Sequence, residues 1–212
     1  MACSPESIVE LRRKGEAKML TEMLRNRVST TAAVLAAFDE LDPLSSDSLV
    51  GCWSGFVIAT GHPMDGLLNA VGWYGKMFKS VDEAYPLIIR SPGASTLFSI
   101  DPSPLPLAGC AKLSPADLVS RFSTISPLAL STTVSHGRLR MVEYRGKVTG
   151  TLIYDQQPIL DHFVMVDSNT VLGIMDFKEF RQPGAFVLQR DDDSAVSIDR
   201  GGWSQLAAQQ LG

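Results

Sequence analysis

Cysteine is scarce. The 212 residues hold three, Cys3, Cys52 and Cys110, too few and too scattered for a disulfide framework, and their spacings match no metal-ligand set. Basic charge is also short. Lys and Arg number 19 against 23 Asp and Glu, a formal charge of −4, and the basic residues form no block. That argues against a nucleic-acid or anionic-membrane partner. Long apolar runs are missing too. The longest uninterrupted one, Ala32 to Phe38, is far too short to span a bilayer. The first residues include Glu6 and Glu10 and lack a basic stretch leading into an apolar one, so no secretory leader is expected. Gly-rich phosphate loops, His-Glu-x-x-His, Cys-x-x-Cys and Gly-x-Ser-x-Gly are absent. The three histidines, His62, His136 and His162, lie far apart, and no metal or organic cofactor is expected. These absences describe a soluble, cytoplasmic protein.

What is present is globular: 45% hydrophobic and 20% charged residues, ample for a packed core. Ile8, Leu11, Gly15, Met19 and Met23 recur at steps of three and four, which predicts a helix capped by Ser4 or Ser7. A second helix is predicted from Ser29–Thr31, burying Val34, Leu35, Phe38 and Leu41 and stopped by Pro43. After Leu49 the period changes to two. Runs over Trp53–Thr60, Tyr74–Ser80, Tyr85–Arg90 and Ser95–Ile100 predict strands. The proline-rich stretch Ser99–Pro115 predicts a linker, and Asp117–Ile125 a short helix with Ser114 as cap and Pro115 at its first position.

The second half predicts sequential strands joined by tight turns, an antiparallel meander. They run Ser135–Tyr144, Lys147–Tyr154, Ile159–Val166, Thr170–Lys178 and Ala185–Arg190. About nine strands in all suffice to close a barrel or pack two sheets. The organisation read from this is N-terminal helices over 1–45, a first barrel half over 46–100, linker and helix over 101–127, the meander over 128–192 and a tail over 193–212. The fold class is mainly β, an antiparallel barrel with the N-terminal helices packed on it.

The turns set a register. If Tyr144 faces Lys147, Tyr154 faces Ile159 and Asp167 faces Thr170, then Asp161 lies opposite Leu152 and directly opposite Asp176. One face then carries Leu139, Met141, Glu143, Val148, Leu152, Tyr154, Ile159, Asp161, Phe163, Met165, Leu172, Ile174, Asp176 and Lys178. That face is mostly apolar and is read as the interior. Two opposed carboxylates there cannot both ionise without a partner: one is protonated, or a cation such as Lys178 lies between them. A neutral acid in an apolar cavity is a useful general acid; a satisfied network that pins the register is the alternative. Asp161, Asp176, Lys178 and Tyr154 are the catalytic candidates. Trp53, Trp73, Phe163 and Met165 are candidate cavity wall, and His62, Lys76 and Tyr154 candidate polar contacts. Lys76 either snorkels to solvent or pairs with an acid. His162 falls on the other face with Arg138 and Arg140.

Gly51-Cys52-Trp53-Ser54-Gly55, Thr60-Gly61-His62-Pro63 and Gly72-Trp73-Tyr74-Gly75-Lys76 resemble the domain named for its Gly-x-Trp-x-Gly motif (GXWXG). Arg138-Leu139-Arg140, Glu143-Tyr144-Arg145-Gly146, Tyr154-Asp155, Pro158-Ile159, Asp161-His162-Phe163, Leu172-Gly173, Met175-Asp176 and Lys178 resemble the domain of unknown function that usually follows it. The resemblance spans roughly residues 40 to 190. It implies a lipocalin-like barrel in a small soluble protein of bacteria or fungi, and it implies no substrate. Where the family commonly has Ala-Thr-Met, this chain has Gly150-Thr151-Leu152, which is expected to widen or soften one wall position.

Three functions fit. The first is a cofactor-free enzyme that binds an apolar terpenoid- or polyene-like molecule and isomerises or cyclises it, a Diels–Alder-type pericyclase of secondary metabolism among the forms it could take. Orientation alone supplies up to ~7–11 kcal/mol in favourable cases, and a positioned acid adds ~10²–10⁴-fold. The second is a carrier of hydrophobic ligands. The third is a structural module with a barrel filled by side chains. The partner is an apolar small molecule in the first two; a homodimer is allowed but not demanded.

Overall fold

The computed structural model describes residues 5–91, 96–194 and 196–197. Two helices lead: α1 (Pro5–Asn26) and α2 (Thr31–Glu40). Strands follow as β1 (Asp42–Pro43), β2 (Gly51–Val57), β3 (Trp73–Phe78), β4 (Ala84–Arg90) and β5 (Leu97–Ser99), with the short helix α3 (Leu67–Ala70) between β2 and β3. After α4 (Pro115–Ser123) come β6 (Gly137–Tyr144), β7 (Lys147–Tyr154), β8 (Ile159–Asp167), β9 (Thr170–Phe177), β10 (Gly184–Arg190) and β11 (Val196–Ser197). Ser4 and residues 198–212 of the expected tail lie outside the described residues. No described helix is long and apolar enough to cross a membrane.

Eight strands close an antiparallel barrel in the order β4-β3-β2-β10-β9-β8-β7-β6, with β6 returning to β4 through the pair Ala84–Gly137. Strand β4 gives its start to β6 and its end to β5, which pairs Ile88–Ser99 to Arg90–Leu97. At this seam stands Pro86, which has no N–H to give a ladder. The expected meander and its turns are present. Arg145-Gly146 turns the β6–β7 hairpin with both residues at positive φ, 52° and 77°, the primed two-residue turn that matches strand twist. Ser114 caps α4 by accepting from the Asp117 N–H at 3.2 Å, with Pro115 in the first turn.

Two cores result. One fills the barrel with Trp53, Phe78, Leu139, Leu152, Phe163 and Phe177 among others. The other lies outside it, where Val34, Ala37 and Phe38 of α2 cover Val164, Leu172, Ile174, Ala185 and Val187. Each fully buried Val or Phe there is worth about 1.5–3 kcal/mol. The exposed ion pair of Asp39 with Arg145 is worth about 0–1 kcal/mol. Apolar burial therefore seats α2, and the ion pair only ties the hairpin tip to it.

The β8–β9 register differs from the expectation by one residue. Asp167 does face Thr170, but Val166 bulges, so the next pair is Met165–Val171. Below the bulge Asp161 faces Met175 and Asp176 faces Leu160. Asp176 is exposed, so the opposed carboxylate pair does not form. Leu172 and Ile174, expected inside, lie under α2 for the same reason. Lys178 is exposed beyond the end of β9. The expected interior positions Met141, Val148 and Met165 are exposed at 48%, 55% and 40%, and Glu143 is exposed with them. They stand where the strands run past the filled part of the barrel, and on its β1 side Met165 pairs with Asp42 of a two-residue strand.

Candidate functional site

The glycines of the motif exist for close approach. A Cβ on Gly55 would lie 2.5 Å from Trp73 Cη2, and one on Gly75 would lie 1.9 Å from the Trp53 carbonyl oxygen. Without side chains there, β2 and β3 pack tightly and the Trp73 ring crosses β2. The β3–β4 register also shifts on either side of Gly75. The irregularity matters because a strict period of two would put Trp73 and Lys76 on opposite faces. Here both line the interior cavity, while Tyr74 joins a small cluster with Cys52, Tyr85, Ile88 and Leu97.

Lys76 is buried at 3% exposure and Asp161 at 1%. Lys76 Nζ lies 2.7 Å from Asp161 Oδ2. It also donates to Tyr154 Oη at 3.1 Å and to the Pro86 carbonyl at 3.2 Å. An ammonium has three donors, and these three oxygens take them. The rings of Phe186, Tyr154 and Trp73 surround the ammonium at 5.0, 5.4 and 5.8 Å, within cation–π range. The cation beside Asp161 is thus Lys76, whereas Lys178, expected between Asp161 and Asp176, is exposed. Of the two readings of Lys76, the structure gives the ion pair. Burial first, then the charge of Asp161, push the Tyr154 phenol well above its ordinary range, so Tyr154 keeps its proton at neutral pH.

The trio sits in the wall of a cavity of about 100 Å³, within about 1060 Å³ of atom-free space that counts its open mouth. The cavity is smaller than the several hundred Å³ of a drug-sized site. Its wall is chiefly apolar, with Ile89, Ile159, Met175 and Phe186 from the barrel. The far side comes from the segment read as a linker, with Leu105 and Leu107, and from the helix and turn that follow it, with Phe122, Ile125 and Leu130. That stretch carries too many leucines and prolines packed inward to be a free tether; its apolar content was the available signal.

His62 lines the same cavity and is 3% exposed. Its Nδ1 accepts the Met64 N–H at 3.1 Å, so the neutral ring carries its proton on Nε2. Burial lowers its pKa, opposed by Asp65 and the Gln182 backbone. The loop that holds it is built on Asp65, whose Oδ2 accepts from the N–H groups of Thr60, Gly61 and His62 at 2.8, 2.8 and 2.9 Å. Four buried polar atoms of the wall make no hydrogen bond: His62 Nε2, Trp73 Nε1, Asp161 Oδ1 and, apart from its ion contact, Asp161 Oδ2.

The structure therefore brings together Tyr154, Asp161, Lys76, Trp73 and His62. Trp53 and Phe163 are in the packed core rather than the cavity wall. The Trp53 indole donates to the Leu49 carbonyl at 2.7 Å, and Phe163 lies edge-on between Phe78 and Phe186. Gly150 does not widen the cavity: a Cβ there would meet Leu49 Cδ1 at 3.0 Å and the Ser45 and Leu44 carbonyls at 3.2 and 3.3 Å, so that space is already filled. His162 lies on the outer face, where it stacks on Tyr144 at 4.0 Å and its Nδ1 meets Thr151 Oγ1 at 3.0 Å. Arg138 pairs with Asp155, and Arg140 with Asp82 at 2.7 Å. Among the described residues no group of three or more His, Cys, Asp or Glu could hold a metal ion.

Residues 36–93 match the family described as GXWXG protein, and residues 135–190 match the domain of unknown function DUF4334. A crystal structure of a protein from Thermomonospora curvata is similar, with TM-score 0.63 and 29% identity, covering 84% of this chain and 99% of that one. No curated protein matches.

Proposed function

For a chain that belongs to the GXWXG family and carries its DUF4334 companion domain, we propose a cofactor-free acid–base enzyme that isomerises or cyclises a small apolar molecule held in the barrel cavity. One observation carries this reading: the Lys76–Asp161 ion pair with Tyr154 against it, buried in the wall of an apolar hollow. Such a pair is a poor stability device, because well-packed apolar residues do as well or better. Placed in a cavity wall, it is a catalytic group in waiting. Asp161 serves as the base through Oδ1, Lys76 holds its charge in place, and Tyr154 supplies a proton or a hydrogen bond to the oxygen that gains charge. A cavity of about 100 Å³ suits a compact ring or short chain, with any longer tail reaching the mouth.

A carrier function is the second reading, supported by the full satisfaction of the Lys76 ammonium. Native mass spectrometry of the protein as isolated identifies a co-purifying compound, and its conversion is then followed with wild type, Asp161→Asn and Tyr154→Phe. The enzyme reading expects retained binding and a loss of about 10²–10⁴-fold in turnover for Asp161→Asn. Equal turnover removes the acid–base step. Binding without conversion by the wild type leaves the carrier.

A further inference from the structure

The unsatisfied polar atoms of the cavity wall carry information about what enters it. Buried donors and acceptors in folded proteins are paired with few exceptions, and each exception calls for a partner. Two of the orphans are donors: the Trp73 indole N–H and His62 Nε2–H. Both are uncharged at neutral pH. Neither has an acceptor among the described residues within hydrogen-bond reach. What these two donors lack is therefore an acceptor, and it arrives with the ligand; the other orphans, the oxygens of Asp161, already face a cation in Lys76.

Charge narrows the class further. Lys76 and Asp161 neutralise each other, and every donor of the ammonium is already engaged by Asp161, Tyr154 and Pro86. An anionic ligand finds no spare cation. A cationic ligand finds the aromatic faces of Phe186, Tyr154 and Trp73 already turned to Lys76. Either ion would stay uncompensated in an apolar enclosure, which is costly.

We infer that the cavity takes a neutral, ring-sized carbonyl compound whose oxygen accepts a hydrogen bond from the Trp73 indole N–H. A carbonyl oxygen has two lone pairs and brings no donor of its own. A hydroxyl would also donate, and the acceptor open to it, Asp161 Oδ1, is the base of the reading above and would be occupied by it. The assignment rests on reading this cavity as a ligand site, as above, and it names the chemistry of the ligand. The Trp73 indole is the specificity-determining group and Lys76 is excluded as a Schiff-base nucleophile while its three contacts hold.

The test uses the full-length protein and a size-matched series at neutral pH: cyclohexanone, cyclohexanol, methylcyclohexane, cyclohexanecarboxylate and cyclohexylammonium. The indole N–H signals of ¹⁵N-labelled protein are recorded, with Trp73→Phe identifying the Trp73 peak. Cyclohexanone is expected to move that peak downfield and methylcyclohexane is not. Both ions are expected to bind at least roughly 10-fold more weakly than the ketone. Trp73→Phe should weaken the ketone roughly 3- to 10-fold more than the hydrocarbon, the worth of one hydrogen bond. The inference is overturned if saturating ketone leaves the Trp73 peak unmoved, if an ion binds tightest, if cyclohexanol produces the larger shift and tighter binding, or if none of the five binds. If Trp73→Phe folds poorly, nuclear Overhauser contacts of the indole N–H with the Phe186 ring identify the Trp73 peak, and the wild-type spectra then decide the matter. Asp161-dependent turnover with an unmoved Trp73 peak would leave the enzyme reading standing and remove this one. A shifted peak without turnover of any co-purified compound would do the reverse.

Discussion

Lys76 and Asp161 come from different halves of the chain and meet 2.7 Å apart inside the barrel. Neither charge could remain there alone. Lys76→Met leaves the Asp161 carboxylate buried without its cation and is expected to cost about 3–5 kcal/mol. Lys76→Met with Asp161→Leu should recover most of that, because an apolar pair suits the surrounding wall. Urea unfolding of the single and double variants measures this. A single variant as stable as wild type would mean that water reaches the pair.

The glycines give a steric prediction. Gly75→Ala puts a Cβ 1.9 Å from the backbone oxygen of Trp53, and backbone cannot swing aside. The two strands must separate, so a loss well above ordinary surface effects, about 3 kcal/mol or more, is expected. Gly55→Ala meets the Trp73 ring instead and should displace it, with a smaller loss of stability and a change in near-ultraviolet dichroism. Gly15→Ala, on α1 with nothing within 4 Å, is the control and should gain about 0.5–1 kcal/mol. Similar thermal midpoints for all three would refute the packing account.

Much of the barrel is legible in the sequence because each hairpin carries its own turn chemistry. Arg145-Gly146 sets Tyr144 opposite Lys147, and the observed β6–β7 ladder follows from it. The β7–β8 register, with Asp161 opposite Leu152, is likewise as read. The Val166 bulge is not legible. A valine suits a strand whether paired or bulged, so nothing in its chemistry signals an extra residue, and that one residue turns Asp176 outward. The irregularity at Gly75 hides Lys76 from Trp73 in the same way, since period-two counting separates them. The cap over the cavity is obscured by its prolines, which signal loop without saying whether the loop packs. The closing pair Ala84–Gly137 joins strands far apart in sequence, and no local signal reports it.

Acid should weaken the fold through its buried imidazoles. Burial lowers the His162 pKa against the opposing pull of Asp161 and Asp176, and burial also lowers that of His62. The native state therefore binds fewer protons than the unfolded chain, whose histidine titrates near 6.5. Stability from this source is complete above that pH and declines as pH falls below it. His162→Phe keeps a ring to stack on Tyr144 and removes the titration. Unfolding free energies between about pH 7 and pH 5 should then show a shallower decline than wild type. An unchanged slope would show that His162 does not titrate between the two states.

The seating of α2 separates packing from charge. Phe38 is fully buried between the helix and the outer face of the barrel, edge-on to Tyr144 at 5.6 Å. Phe38→Ala removes a ring the barrel strands cannot collapse to replace, and about 3–5 kcal/mol should be lost. Arg145→Lys ends the two-point contact of the guanidinium with Asp39, at 2.6 and 2.7 Å, but both groups are well exposed. It should cost less than about 1 kcal/mol, and that small loss should shrink further in high salt. Hydrogen exchange of the α2 amides reads both effects: faster throughout the helix in Phe38→Ala, near wild type in Arg145→Lys. The reverse order would mean that the ion pair, rather than the apolar face, holds the helix to the barrel.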